Sequence, residues 1–174
     1  KGEFSDIQNN HWLALFDVDR SCILDPLTQP LPFTPFKDFT ERSINEINLY
    51  STEMSSALYS IDRVSASANM NNRLSEAIVE AYKSTNGAPI SFELMLKCYQ
   101  SRMKDANNDD SISSVLKQLV NAHIFESEDK VSLIDDSYII KMDGYPKDGP
   151  IAKAIVYFLM SKLNNIYELW INKQ

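Results

Sequence analysis

From Pro150 to Ile171 the chain is apolar on almost every side, and no other feature constrains its fold as strongly. Ile151, Ala152, Ala154, Ile155, Val156, Phe158, Leu159 and Met160 leave hardly any polar face in the first three turns of a helix. Such a helix belongs in a deep interior. The rest of the chain must cover it or leave a sizeable apolar patch. Pro150 suits a first helical turn, where its missing N–H costs nothing. The longest apolar stretch, Ile151 to Met160, is broken by Lys153 and is too short to span a bilayer. The expectation is self-association of the isolated chain through this helix, with Asp at Ile155 and Leu159 releasing monomer.

The bulk numbers narrow the class. At 174 residues, with 44% hydrophobic and 24% charged, the chain has room for one domain with a real core. Its 17 basic against 24 acidic residues give a net charge of -7. That argues against a nucleic-acid coat, which needs a cationic surface. No membrane span or signal peptide is expected, and the chain reads as cytoplasmic. Cys22 and Cys98 have no metal-ligand or redox spacing and are expected to be buried, reduced thiols.

Trp12 to Phe16 is a short apolar run, and Cys22-Ile23-Leu24 is a candidate strand closed by Asp25-Pro26. Pro26, Pro30, Pro32 and Pro35 then alternate with Leu27, Leu31, Phe33 and Phe36. Proline fixes φ and removes donors, so this stretch is expected to be extended and irregular, packed on a surface by its apolar side chains. Thr40, with Ser43 in the first turn, is expected to cap a helix carrying Ile44, Ile47, Met54 and Leu58. A second helix is predicted over 69–83 and stopped by Asn86-Gly87. Ser91 opens a third, and Asp110 or Ser111 caps a fourth. Val131 to Ile134 and Tyr138 to Met142 then read as strands, paired as a hairpin turning at Asp135-Asp136-Ser137. The expected class is α+β, mainly α: four to five helices, a few short strands and a hairpin near 131–142. Residues 1–39 form an extended and strand segment, 40–125 a helical subdomain, and 126–174 a hairpin or strand with the apolar helix.

Candidate sites are few. Gly144 and Gly149 have the spacing of a phosphate-binding G-x4-G-K-[ST] loop, but Pro150-Ile151 stands where Lys and Ser or Thr are required. Phe16-Asp17-Val18-Asp19-Arg20-Ser21 resembles the D-x-D-x-[TV] signature of haloacid-dehalogenase-type phosphatases. That likeness implies a nucleophilic Asp17, an acid/base Asp19 and Mg²⁺ between them, with Asp135-Asp136 as the last acidic motif. Ser21 replaces the expected Thr, and no alternating βα pattern joins the two motifs. Ile90 to Met142 follows winged-helix order, yet Ser111 to Ala122 offers DNA only Lys117. His11 and His123 have no ligand cluster around them, so no metal site is expected. Arg63, Arg73, Lys83, Arg102 and Lys104 are expected on solvated faces.

Several phrases in chain order resemble a family. Lys1-Gly2-Glu3-Phe4 is similar to the [HKR]-G-E-[YF] segment of HerA-type P-loop ATPases, unless it is a vector remnant. Leu24-Asp25-Pro26 and Gln29 to Phe36 follow that family's "DP" strand end and proline-rich stretch. Ser67 to Ala77 and Gly149 to Glu168 resemble the HerA-like ATPase subunit of phosphorothioate-dependent DNA restriction systems (DptH/DndH type). The resemblance implies an internal fragment of the P-loop ATPase domain, with a helical insertion over roughly Phe39 to His123. It implies a Walker A motif before Lys1, a Walker B motif after Gln174, and a role for Glu3 in positioning water or Mg²⁺.

The resemblance thus implies an ATP-driven, HerA/FtsK-like DNA-processing ATPase in antiphage restriction. ATP and Mg²⁺ would be the parent's cofactors and none this chain's, which alone is expected to be inactive. Partners would be other subunits of a ring, restriction proteins, and DNA through the parent. The rival expectations are a free-standing helical interaction or immunity module, and the Mg²⁺-dependent phosphatase using Asp17 and Asp19.

Overall fold

The computed structural model describes residues 23–61, 67–103, 109–133 and 138–171. The described residues are mainly helical and divide into two compact units. Phe36–Ala122 forms one; the described parts of Lys1–Pro35 and His123–Gln174 form the other.

The first unit is an array of helices: α1 (Ile44–Ile61), α2 (Ala68–Ser84), α3 (Phe92–Ser101) and α4 (Ser111–Ala122), each packed on the next. The sequence dictates most of their ends. Ser67 and Ser91 are N-caps whose hydroxyls accept from the Met70 and Leu94 amides, satisfying orphan donors of the first turn. Asp110 does the same for α4 through the Ser113 amide at 2.9 Å. At α1 the expected Thr40 start is corrected: the helix begins at Ile44. The Thr40 amide is taken by the Asp38 side chain at 2.9 Å, whereas the Glu46 carboxylate reaches back to the Ser43 amide at 3.0 Å. That reach is the carboxylate half of a capping box.

After α2, Asn86 and Gly87 both take positive φ, at 53° and 87°. The Gly87 amide donates to the Tyr82 carbonyl at 2.9 Å, and its carbonyl accepts from the Phe39 amide at 2.7 Å. This turn seats Phe39 against Tyr50 and Tyr82, with ring centroids 5.2 and 5.0 Å away. Tyr82 is fully buried, and its hydroxyl donates to the Lys37 carbonyl at 3.0 Å. Burial of such large side chains stabilises by roughly 1.5–3 kcal/mol each. Met54, Leu74, Ile78, Met95, Tyr99, Leu116 and Leu119 complete this core.

The second unit is built on a parallel pair. β1 (Ile23–Leu24) pairs with β2 (Ile139–Ile140), Ile23 opposite Ile139 and Leu24 opposite Ile140. This corrects the expected hairpin: Val131 to Leu133 is not strand, and β2 takes a partner far away in sequence. The winged-helix order therefore has no wing among the described residues. Residues 134–137, the expected hairpin turn, lie outside them.

Between β1 and α1 the proline-rich arm runs through turns and bends, and several of its N–H groups are bonded. The Leu31 amide donates to the Ile124 carbonyl at 2.6 Å, Phe33 to the Leu31 carbonyl at 2.8 Å and Thr34 to Asp129 Oδ1 at 3.0 Å. In return the Glu126 and Lys130 amides donate to the Leu31 and Pro32 carbonyls. Proline has no donor to lose here, and the arm runs beside 124–130 through these bonds. Leu31 and Phe33 are buried, with Phe33 beside Phe125 and Phe125 beside Phe158.

α5 (Pro150–Ile171) follows β2. It buries Ala152, Ala154, Ile155 and Phe158, and Lys162 holds Asp129 at 2.6 Å. Ile155 is 1% exposed, so Asp there would unfold the unit instead of releasing monomer. Val156, Met160, Leu163, Tyr167 and Ile171 face outward. No described helix is long and apolar enough to cross a membrane.

Candidate functional site

Three places gather polar groups, two in the helical unit and one in the other. In the helical unit a groove of about 370 Å³ runs between α1 and α2, with Arg102 at the end of α3 on its rim. Ser51 and Thr52 come from α1; Ser75, Glu76, Glu80 and Lys83 come from α2. The helical period puts them there, since 76, 80 and 83 share one face. Arg102 closes the rim with a fork: Nη1 meets Glu76 Oε2 at 2.7 Å, and Nη2 meets Glu80 Oε2 at 2.8 Å. Arg102 lies on an exposed face, as expected, and two exposed carboxylates hold it there.

Deeper in the groove Ser51 Oγ donates to the Asn48 carbonyl at 2.8 Å and lies 3.1 Å from Ser75 Oγ. A hydroxyl has one proton to give, so Ser75 is the donor to Ser51. No imidazole or thiol lines this groove. A serine with its proton committed to a carbonyl and no base beside it is not an activated nucleophile. The groove suits polar recognition, not acyl transfer.

The helical unit's second polar cluster centres on Asp110. Its Oδ2 accepts from the Tyr99 hydroxyl at 2.6 Å and from Arg73 Nη1 at 3.2 Å, while Oδ1 caps α4. The Arg73 guanidinium also lies over the Tyr99 ring, 5.6 Å from its centroid. Burial, then the Asp110 carboxylate, push the Tyr99 hydroxyl well above the ordinary phenol range. Arg73, expected to be solvated, is instead a strut tying α2 to the start of α4. Lys117, the only basic residue of α4, is held by both oxygens of Asp109, at 2.6 and 2.7 Å.

In the other unit, Asp25 and Lys141 lie just past the carboxyl ends of β1 and β2. Lys141 Nζ meets Asp25 Oδ2 at 2.8 Å, and the Lys141 amide donates to the Leu24 carbonyl at 2.8 Å. The Lys141 ammonium, followed by the Leu27 amide, holds the Asp25 carboxyl below its usual range; the same pair raises Lys141.

Several expected site residues lie outside the described residues: Glu3, His11, Asp17, Asp19, Cys22, Arg63, Lys104, Asp135 and Asp136. His123 is exposed at the end of α4 with φ 45°, a left-handed residue closing a helix. Gly149 gives its amide to the Pro146 carbonyl at 2.9 Å, and Pro150 has none, so this turn has no cradle for phosphate. Gly144 leaves room for the Leu27 side chain, whose Cδ1 would meet a Cβ placed there. Cys98 is buried, and desolvation raises its thiol. No group of three or more metal-ligating side chains occurs among the described residues. Sequence reasoning missed the Arg102 fork and the Asp25–Lys141 pair; the four-residue spacing of Glu76 and Glu80 was the one signal for the former. No protein-family model matches the chain, and neither a curated protein nor a solved structure matches it.

Proposed function

We propose that this chain is a helical insertion subdomain, with flanking core segments, of an ATP-driven, HerA/FtsK-like DNA-processing ATPase that works in antiphage restriction in the cytoplasm. The carrying observation is the parallel pairing of β1 with β2, with Phe36–Ala122 lying between them in sequence. Parallel strands need a long crossover, and P-loop cores are parallel sheets. A strand running into Asp25-Pro26, and a strand followed after a loop by α5, keep the order the resemblance implies. ATP and Mg²⁺ would be bound by segments carrying Walker motifs, with Glu3 as a neighbour of the nucleotide. Phe36–Ala122 would then meet adjacent subunits of a ring, restriction proteins or the DNA-handling parts of the assembly.

The test is nucleotide binding on two proteins. The complete product of the gene should hydrolyse ATP with Mg²⁺ and carry G-x4-G-K-[ST] before Lys1. The 174-residue chain should give no heat on titration with Mg-ATP. Micromolar binding by the shorter chain, or none by the complete product, would sink the proposal. The groove between α1 and α2 favours a second reading, a helical protein-interaction module. Pull-down of a partner protein that Glu80→Lys abolishes, with no ATPase activity in the complete product, would select it.

A further inference from the structure

We infer that Asn86 is a site of spontaneous deamidation that the native turn keeps closed and that loosening of the helical unit opens. The inference does not rest on the ATPase reading.

Asn86-Gly87 is the one Asn-Gly pair in the sequence. In such a pair the backbone nitrogen after asparagine can attack the side-chain amide, and glycine, having no Cβ, leaves the approach open. The Gly87 nitrogen loses its proton to hydroxide and bonds to Asn86 Cγ. The bond from Cγ to Nδ2 breaks, and ammonia leaves with a proton taken from water. The product is a five-membered succinimide. A second water opens it at either carbonyl, to aspartate or, in the larger share, to isoaspartate. Water is the only co-reactant.

The fold exposes one reacting group and withholds the other. Asn86 is exposed, whereas Gly87 is buried. α2 ends in a Schellman arrangement after its C-cap Thr85: the Gly87 amide donates to the Tyr82 carbonyl at 2.9 Å and the Asn86 amide to the Lys83 carbonyl at 3.3 Å. The nitrogen that would attack is therefore the donor that closes the helix. Held on a carbonyl, it is harder to deprotonate and is not free to turn toward Asn86 Cγ. The Gly87 carbonyl is pinned in its turn by the Phe39 amide at 2.7 Å, and Phe39 is buried against Tyr50 and Tyr82. Attack has to wait for this turn to open locally.

The product does not fit the closed turn. In isoaspartate the main chain runs through the side-chain carbons, which adds one carbon between the Cα of position 86 and the Gly87 nitrogen. It also leaves a carboxylate at the end of α2, where the helix dipole is negative. The lengthened turn cannot keep the Gly87 amide on Tyr82 and the Gly87 carbonyl on Phe39 together. One opening is thereby recorded permanently, and the seat of Phe39 is lost.

The test holds the full chain at mildly alkaline pH with and without guanidinium chloride. Trypsin then releases Ser84 to Lys97, whose asparagine, aspartate and isoaspartate forms separate by chromatography. Modification should be at least roughly tenfold slower in the folded chain. After refolding, the isoaspartate chain should melt below Asn86→Asp, which carries the same charge on an unaltered backbone and tolerates the left-handed φ. Equal rates with and without denaturant overturn the inference, as does an Asn86 that stays intact in denaturant. An isoaspartate chain that melts together with Asn86→Asp overturns the claim that the closed turn rejects the product. None of these outcomes alters the nucleotide test above.

Discussion

Asp25 and Lys141 stand 116 positions apart in the chain and meet at 2.8 Å, each just past the last residue of its strand. The pair clasps the two parallel strands at their carboxyl ends. Its pH dependence has a definite sign. Asp25 is depressed from 3.8, so its contribution is fully present above that value and lost as pH falls through the lower folded value. Lys141 is raised from 10.5, so its contribution persists below 10.5 and is lost as pH rises through the folded value. Asp25→Asn should lower the melting temperature at pH 7, and the native and variant curves should converge under acid. A constant gap from neutral to strongly acid pH would contradict the pairing.

Gly87→Ala should destabilise the helical unit by about 2 kcal/mol in urea unfolding. The φ of 87° is costly for alanine, and its Cβ would lie 2.5 Å from the Phe39 carbonyl oxygen, a backbone atom that cannot swing aside. A change near zero would mean that the turn relaxes freely.

Asp110→Ala should cost about 2–3 kcal/mol, since it removes a helix cap and leaves the Tyr99 hydroxyl and Arg73 without their acceptor. Tyr99→Phe should cost about 1 kcal/mol. The double variant should cost less than the two added together, because both remove the same hydrogen bond. Additive losses in the double-mutant cycle would count against a coupled cluster.

Limited proteolysis should spare Pro30 to Phe39. The backbone is irregular there, yet Leu31, Phe33, Phe36 and Phe39 are buried and the Leu31 and Thr34 amides are bonded. Rapid cleavage within the arm would show that it detaches readily.

Helix ends were legible where a local rule wrote them. Ser91, Asn86-Gly87 and Pro150 each read as a start or stop from the local pattern; Ser67, the N-cap of α2, does not, and the pattern places the start of that helix at 69. Thr40 misled because Asp38 competes for its amide and Glu46 caps from inside the helix. The strand near 138–142 could be recognised by its β-branched residues, but a pattern of period two does not name its partner. Proximity suggested a hairpin; the pairing with Ile23–Leu24 is long-range and leaves no local trace. In α5 the apolar residues were plain, yet a helix that is apolar all round gives no clue which side is core. Only packing separates Ile155 from Val156. The Arg102 fork joins the end of α3 to α2; the spacing of Glu76 and Glu80 puts two carboxylates on one face but does not name the arginine that meets them.

The parallel pair also sets an order of events in time. α1 to α4 each find a partner next along the chain, and such low-contact-order elements assemble quickly. Leu24 can reach Lys141 only by closing a loop that takes in the whole helical unit, and that closure brings no reward until it is complete. Helical ellipticity should therefore recover before the Lys141 amide is protected in pulsed hydrogen exchange during refolding. Protection of that amide in the earliest phase would reverse the order. The barrier to reaching the native state is then a search: the time Leu24 takes to find Lys141.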